Sequence, residues 1–250
     1  MKVLILAAGM GTRLKPWTEH HPKALVPVGG VPMLNRQINR LLKAGFDEMY
    51  INIHHFGEQI IDYLNANEFG TEVTISDEKE KLLDTGGGIL HASEQIFSNN
   101  DEPVLIHNAD ILSNADLKKL MDYHEQSEND VTLLTSGRES TRKLIFDGEG
   151  YLKGWHDLRN DNYRPSVYES KDDDREVAFS GIYIMSKAAT EQLSWYADYI
   201  GKDVFPIMDF FLAMYPHVKI GEYYDPSLRL LDIGKPDALA KAEREYGDLL

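Results

Sequence analysis

Between Leu6 and Lys23 the chain sets out residues suited to holding a polyphosphate. The run Leu6-Ala7-Ala8-Gly9-Met10-Gly11-Thr12-Arg13-Leu14 closes a short apolar stretch, and Pro16, Thr18, Pro22 and Lys23 follow it. Gly9 and Gly11 permit close approach and positive φ, so backbone amides can turn toward phosphate oxygens. Arg13 adds a planar fork of donors and Lys23 a second positive charge. Two better-known phosphate loops are excluded. A Walker loop carries Gly-Lys-Ser/Thr after its glycines, whereas Gly11 precedes Thr12-Arg13. A dinucleotide fingerprint needs a third glycine opening a helix, where this chain has Leu14. Glycines alone would also suit a plain tight turn; Arg13, Pro22 and Lys23 at this spacing favour phosphate.

Three further groups carry chemistry. Leu83-Asp84-Thr85-Gly86-Gly87-Gly88 opens a helical pattern, and glycines at a helix start offer free amides and the positive end of a dipole. His107-Asn108-Ala109-Asp110-Ile111 ends an apolar run, so Asp110 falls at the carboxyl edge of a parallel sheet, where such folds bind ligands. Magnesium favours oxygen donors, commonly one or two carboxylates plus phosphates. Asp110 alone reads equally well as an aspartate starting the next turn. Leu231-Asp232-Ile233-Gly234-Lys235-Pro236 supplies a second aspartate, which by itself could simply begin a helix. The nine histidines, including His20-His21 and His54-His55, lack metal-ligand spacing and read as loop and strand-end residues.

These groups need a scaffold. Short apolar runs alternate with helical patterns through the first half, which predicts βα units on a largely parallel sheet. Strands are expected at Lys2–Leu6, Glu48–Ile53, Glu72–Ile75, Pro103–His107 and Asp130–Leu134. Helices are expected at Met33–Ala44, Glu58–Asn65, about Gly87–Phe97 and Asp116–His124. Then the rhythm changes. Arg142–Phe146 and Tyr151–Trp155 flank Asp147-Gly148-Glu149-Gly150, a hairpin signal. The polar stretch His156–Glu176 reads as an exposed loop, a flap over a pocket, before a return strand at Val177–Met185. Helical patterns at Lys187–Leu193, Val204–Tyr215 and Lys235–Tyr246 complete the chain.

Composition limits the options. The chain has 250 residues, 42% of them hydrophobic and 27% charged, enough for one sizeable α/β core. No apolar run approaches the ~20 residues that span a bilayer, so no membrane partner is expected. The first residues lack a cleavage site, which argues against a signal peptide. Absence of cysteine excludes thiolate catalysis and fits a cytoplasmic location. A net charge of -15 argues against a broad nucleic-acid surface, but leaves room for a small anionic substrate in a locally basic pocket.

The pattern Gly-x-Gly-Thr-Arg-Leu-x-Pro-x-Thr…Pro-Lys resembles the signature loop of the sugar nucleotidyltransferases, or NDP-sugar pyrophosphorylases. The other three motifs follow in that family's order, so the resemblance covers nearly the whole chain. It is nearest to short members such as N-acetylmuramate 1-phosphate uridylyltransferase and mannose-1-phosphate guanylyltransferase-like proteins. The resemblance implies an α/β, Rossmann-like (GT-A-like) three-layer sandwich with a mixed, mostly parallel central sheet. It implies one domain over 1–250, with a nucleotide-binding half over about 1–135 and a sugar-side lobe over about 136–250.

It also assigns roles. Gly9, Gly11, Thr12 and Arg13 would hold the triphosphate of UTP, GTP or CTP, with Lys23 near the α-phosphate and Leu6, Ala7 and Ala8 also binding the nucleotide. Arg13 and Lys23 would be catalytic. Thr85, Gly86 and Gly87 would lie beside base and ribose, and Asp110 and Asp232 would share Mg²⁺. Ala109 stands where the family usually has glycine. Phe179-Ser180-Gly181-Ile182-Tyr183 resembles the family's strand beside the sugar, with Gly181 admitting the ring. The family's Glu-Lys-Pro triplet, whose lysine meets the sugar phosphate, is absent, leaving Arg142, Arg159 and Arg164 as candidate substitutes. The implied reaction joins an NTP to a sugar 1-phosphate and releases pyrophosphate, making a cell-wall or polysaccharide precursor. The alternatives are a cytidylyltransferase acting on phosphocholine or another non-sugar phosphate, and a non-catalytic nucleotide sensor. The left-handed β-helix domain of some relatives is not expected, since the closing helix comes near residue 250.

Overall fold

A computed structural model describes residues 1–234 and 236–249. Apolar runs of five or six residues form the central strands: β1 (Lys2–Leu6), β4 (Glu48–Ile53), β5 (Val73–Asp77), β6 (Val104–Asn108) and β8 (Val131–Ser136). With β12 (Arg175–Met185) and β13 (Ile220–Tyr224) they run in the order β5-β4-β1-β6-β12-β8-β13. Only β12 is antiparallel to its neighbours in that series. The sheet is therefore mixed and mostly parallel.

Alternate side chains of each strand point to opposite faces, and each face has its own helices. Val3, Ile5, Met49, Ile51 and Leu105 pack with α1 (Met33–Lys43), α2 (Gly57–Asn65) and α4 (Leu117–Gln126) through Leu34, Ile38, Leu41, Ile60 and Leu120. Leu4, Tyr50, Val104, Ile106 and Leu133 pack with α3 (Asp84–Ile96), α5 (Lys187–Ile200) and α6 (Ile207–Met214). This is a Rossmann-like three-layer sandwich. A third cluster joins Leu14, Val26 and Val28 near the first loop to Ile233 and to Ala242 on α7 (Pro236–Glu245). It draws the ends of the chain together, and with them Arg13 and Asp232.

Several expectations need correction. Helix α3 begins at Asp84, three residues early, so the glycines lie inside its first turns. Helix α6 starts only at Ile207, after Pro206, and α5 runs on to Ile200, where Gly201 takes φ +62. The expected His156–Glu176 loop is exposed and mostly irregular, but strands enter it at both ends and once within it. The hairpin of β9 (Arg142–Phe146) and β10 (Leu152–Asp157) continues into β11 (Asn162–Arg164), and β12 already begins at Arg175. The reason is one buried side chain. His156 bonds Glu176 through Nδ1 at 2.8 Å and Asp161 through Nε2 at 2.9 Å, and its ring stacks on Tyr163 at 3.9 Å. Those contacts tie together the strand ends that flank an otherwise exposed stretch. Two short antiparallel pairs, β2 (Pro27–Val28) with β3 (Val31–Pro32) and β7 (Ile111–Ser113) with β14 (Leu230–Asp232), were not predicted by the sequence. Lys235, the expected start of the closing helix, lies outside the described residues.

Candidate active site

Strands β1 and β6 end side by side, and the segments leaving them form one wall of a cleft of about 430 Å³. Leu6, Ala7, Ala8, Gly9, Lys23, Asn52, Leu82, Asp84, Thr85, Asn108, Asp110 and Val204 line it. The first loop is pinned from below. Asn52 accepts a hydrogen bond from the Ala7 amide through Oδ1 at 2.7 Å and donates through Nδ2 to Glu78 at 2.6 Å. The other Glu78 oxygen accepts from the Leu83 amide at 2.9 Å. One buried carboxylate thus ties the first loop to the start of α3, and its burial raises its pKa. Sequence reading missed both residues; a polar pair inside two apolar strand ends was the available signal.

Gly11 has φ +62, and a Cβ there would meet Lys23 Cβ and Thr18 Cγ2, both at 2.8 Å. Only glycine lets Lys23 close on the loop. The Lys23 ammonium donates to Asp110, a half-buried ion pair at the cleft wall. Arg13, more than half exposed, faces Asp232 at 3.8 Å. Gly234 completes the group: a Cβ there would lie 2.6 Å from Asp232 Oδ1, 2.8 Å from Arg13 Nη2 and 3.3 Å from Lys23 Nζ. The Ile233 amide donates to the Asp110 carbonyl at 2.8 Å, fastening the two aspartate segments together. Two cations and two carboxylates from three distant segments therefore converge.

Electrostatics mark the same point. The Asp232 carboxyl is raised above its ordinary pKa, first by burial and then by the Asp110 charge, against the opposing pull of Lys23 and Arg13. Repulsion between two adjacent carboxylates is what a divalent cation relieves, so this donor set fits a hard metal. Among the described residues no group of three or more His, Asp or Glu side chains forms a full metal cage. Magnesium does not require one, since substrate phosphates supply the remaining oxygens.

The glycine run behaves otherwise. Thr85 lines the cleft, but its Oγ1 accepts from the Ile207 amide at 2.9 Å and so caps α6. The amides of Gly86 and Gly87, expected to be free, both donate to the Phe205 carbonyl, at 2.9 and 3.4 Å. A Cβ at Gly86 would meet that carbonyl at 2.8 Å, and one at Gly87 would strike the Asp203 carbonyl oxygen. These glycines admit a neighbouring chain. Thr12 lies on the exposed rim, away from the cleft lining. Gly181, φ +77, sits in a bulge of β12, where a Cβ would meet Asn108 Nδ2 at 2.6 Å; Asn108 in turn lines the cleft. The three candidate arginines already have carboxylate partners: Arg142 and Arg159 on Asp157, and Arg164 on Asp209.

Arg13 and Lys23 beside paired carboxylates, at the carboxyl edge of a mostly parallel sheet, make an α/β scaffold whose site is chemically able to hold a phosphate chain. The chain matches the Nucleotidyl transferase family model over residues 2–248 and belongs to that family. It is 26% identical to mannose-1-phosphate guanylyltransferase 1 of Arabidopsis thaliana, over all of this chain and 66% of that protein. It is 37% identical to N-acetylmuramate alpha-1-phosphate uridylyltransferase of Caulobacter vibrioides, over 43% of this chain and 44% of that one. The chain spans 62% of the length of the Danio rerio mannose-1-phosphate guanylyltransferase catalytic subunit beta, which it matches at 28% identity. In fold it superposes on HddC from Yersinia pseudotuberculosis, crystallised with GMP-PN, at a TM-score of 0.73 and 24% identity, covering 98% of this chain and 99% of that one. No described helix is long and apolar enough to cross a membrane.

Proposed function

We propose that this chain transfers a nucleoside monophosphate from UTP, GTP or CTP to a sugar 1-phosphate, giving an NDP-sugar and pyrophosphate. The observation that carries the reading is the convergence of Lys23, Asp110, Arg13 and Asp232 at the cleft bounded by the first loop. The names of the guanylyl- and uridylyltransferase relatives support it. We take residues 1–250 as one domain, with the nucleotide held by the half over about 1–135 and the sugar by the lobe over about 136–250.

In this reading an oxygen of the sugar 1-phosphate attacks the α-phosphorus in line, and pyrophosphate leaves. The nucleophile is already anionic, so the protein need not supply a general base. Its work is positioning and charge neutralisation. Amides of Ala7 to Gly9 face the triphosphate from the cleft wall, Gly11 and Thr12 would meet it only at the rim, Lys23 meets the α-phosphate, and Arg13 meets the leaving phosphates. Thr85, with Gly86 and Gly87 shaping the wall behind it, borders the base and ribose. Asp110 and Asp232 would hold Mg²⁺, which when bound supplies positive charge against the phosphate oxygens. Gly181 keeps the sugar side open.

The test is a pyrophosphate-release screen of four nucleotides against sugar 1-phosphates, with mannose 1-phosphate, N-acetylmuramate 1-phosphate and phosphocholine included. Magnesium-dependent release with a sugar 1-phosphate is expected. Release with phosphocholine alone would move the chain to the cytidylyltransferases, and nucleotide binding without any release would make it a sensor.

A further inference from the structure

The sugar phosphate needs a cation of its own, and the three arginines that sequence suggested are already neutralised by Asp157 and Asp209. Arg175 is likewise paired, with Glu222. Arg138 differs. It lies two residues beyond β8, which is parallel to its neighbour β13 and antiparallel to β12, as β6 is. Its loop therefore emerges at the same sheet edge as Asp110. Its guanidinium is half-buried and touches only carbonyls: Nη2 donates to Phe179 at 2.7 Å and Nη1 to Glu139 at 3.4 Å. Its Nε is buried with no partner. Among the described residues no carboxylate lies within ion-pairing distance of it.

The position is as telling as the missing partner. Phe179, whose carbonyl holds the guanidinium, directly precedes the Ser180–Ile182 bulge. That bulge lays Gly181 against Asn108 of the cleft wall. Burial disfavours the charged form of Arg138, and the field of the Asp232 carboxylate partly offsets this. Lys143 donates to the Arg138 carbonyl at 2.9 Å and fixes the loop from which the side chain reaches. A half-buried guanidinium without a paired carboxylate is costly unless an anion arrives to meet it. Its fork of donors suits a phosphate.

We propose that Arg138 receives the phosphate of the sugar 1-phosphate, a proposal that rests on the nucleotidyl-transfer reading above. Holding that phosphate between the Gly181 bulge and the paired aspartates would aim its oxygen at the α-phosphorus. The rival role for Arg138 is a brace for the Phe179 carbonyl. Arg138→Gln separates them, because glutamine keeps an N–H donor for that carbonyl and loses the charge, whereas Arg138→Lys keeps the charge.

The experiment measures KM for both substrates in the wild type and the two variants, on the substrate pair found by the screen, with thermal unfolding as a check on folding. Glutamine should raise the sugar 1-phosphate KM about 30-fold and leave the NTP KM within about twofold; lysine should recover much of the loss. A glutamine variant equal to the wild type, or one with both KM values shifted alike, overturns the proposal. Should the wild type turn over no pair, the transfer reading fails by itself. Calorimetric titration with inorganic phosphate then decides Arg138: binding weakened at least about tenfold by glutamine sustains it, and equal binding overturns it.

Discussion

Two glycine-rich turns flank the cleft, and in sequence they look alike. In the first, a Cβ at Gly9 would meet nothing within 4 Å. In the second, Cβ atoms at Gly86, Gly87 and Gly88 would strike Phe205, the Asp203 carbonyl and Glu78. The first turn leaves space in front of its backbone, with Lys23 and Arg13 arranged around that space. The second spends its glycines on bringing the 203–205 segment against α3, and its amides are already bonded there. Glycine therefore has two meanings here: room for a ligand and room for the chain. Gly9 of the first turn should fail in activity when altered, and the second turn in stability.

The largest effect belongs to the charged quartet. Lys23→Ala, Asp110→Asn and Asp232→Asn should each lower turnover by ~10²–10³, about 2.7–4 kcal/mol of transition-state stabilisation. Melting temperature should change little, since these side chains sit at the rim of the core. Asp110 and Asp232 serve one ion in our reading, so the double variant should be little worse than either single one. The measurement is a double-mutant cycle on turnover with magnesium titrated in each variant. Additive losses with unaltered magnesium dependence would separate the two aspartates.

Next comes the second turn. Gly87→Ala forces a Cβ against a backbone oxygen that cannot rotate away, an overpacking that typically costs about 1–3 kcal/mol. For a chain of this size each kcal/mol lowers the melting temperature by roughly 2–4 °C. Calorimetry should show the loss, while the folded fraction keeps a near-normal NTP KM. Unchanged melting with a large rise in KM would reverse our assignment and make this turn a ligand contact.

Glu78 joins the turns and gives a smaller, pH-dependent signal. Burial raises its folded pKa above the ordinary 4.5, so the native state holds this proton more tightly than the unfolded chain. Its stabilising contribution is full below about 4.5 and fades as pH rises through the raised value. Glu78→Gln does not titrate. The wild type should lose melting temperature relative to this variant as pH climbs from 4.5, on top of a constant offset for the lost acceptor. Parallel pH curves for the two proteins would mean that Glu78 is not burial-shifted.

Much of this was legible in the residues. Apolar runs and helical spacing predict most of the central sheet and the seven α-helices among the described residues, because burial on a period of two or 3.6 leaves a clear imprint. Asp110 and Lys23 are recognisable by type and spacing, and they do meet. The fate of the Gly86 and Gly87 amides was not legible, because their partner lies at Phe205, over a hundred residues away. The same holds for β10 to β12: two carboxylates around His156 extend the strands into the ends of a charged, loop-like stretch. Arg138 was invisible for a related reason. What sets it apart from Arg142, Arg159 and Arg164 is the lack of a carboxylate partner, a property of the fold and not of the local sequence.

The smallest perturbation is the sharpest test of the contrast. Gly9→Ala adds one methyl group where the protein itself offers no obstacle and no positive φ demands glycine. Stability should stay within about 0.5 kcal/mol of the wild type, as for a surface change away from special features. It could rise slightly, since alanine narrows the unfolded ensemble. Any functional effect must then come through whatever fills the space in front of the loop. With a triphosphate lying against the backbone there, the methyl group holds it off and lengthens its bonds to the amides of the loop. The NTP KM should rise about tenfold, equivalent to about 1.4 kcal/mol, with the sugar 1-phosphate KM unchanged. Gly11→Ala is the control within the same turn, because its φ of +62 and its closeness to Lys23 predict a stability loss as well. A Gly9→Ala protein with normal stability and normal NTP affinity would mean that no ligand backbone comes this close. The first turn would then be only a hinge that carries Arg13 and Lys23.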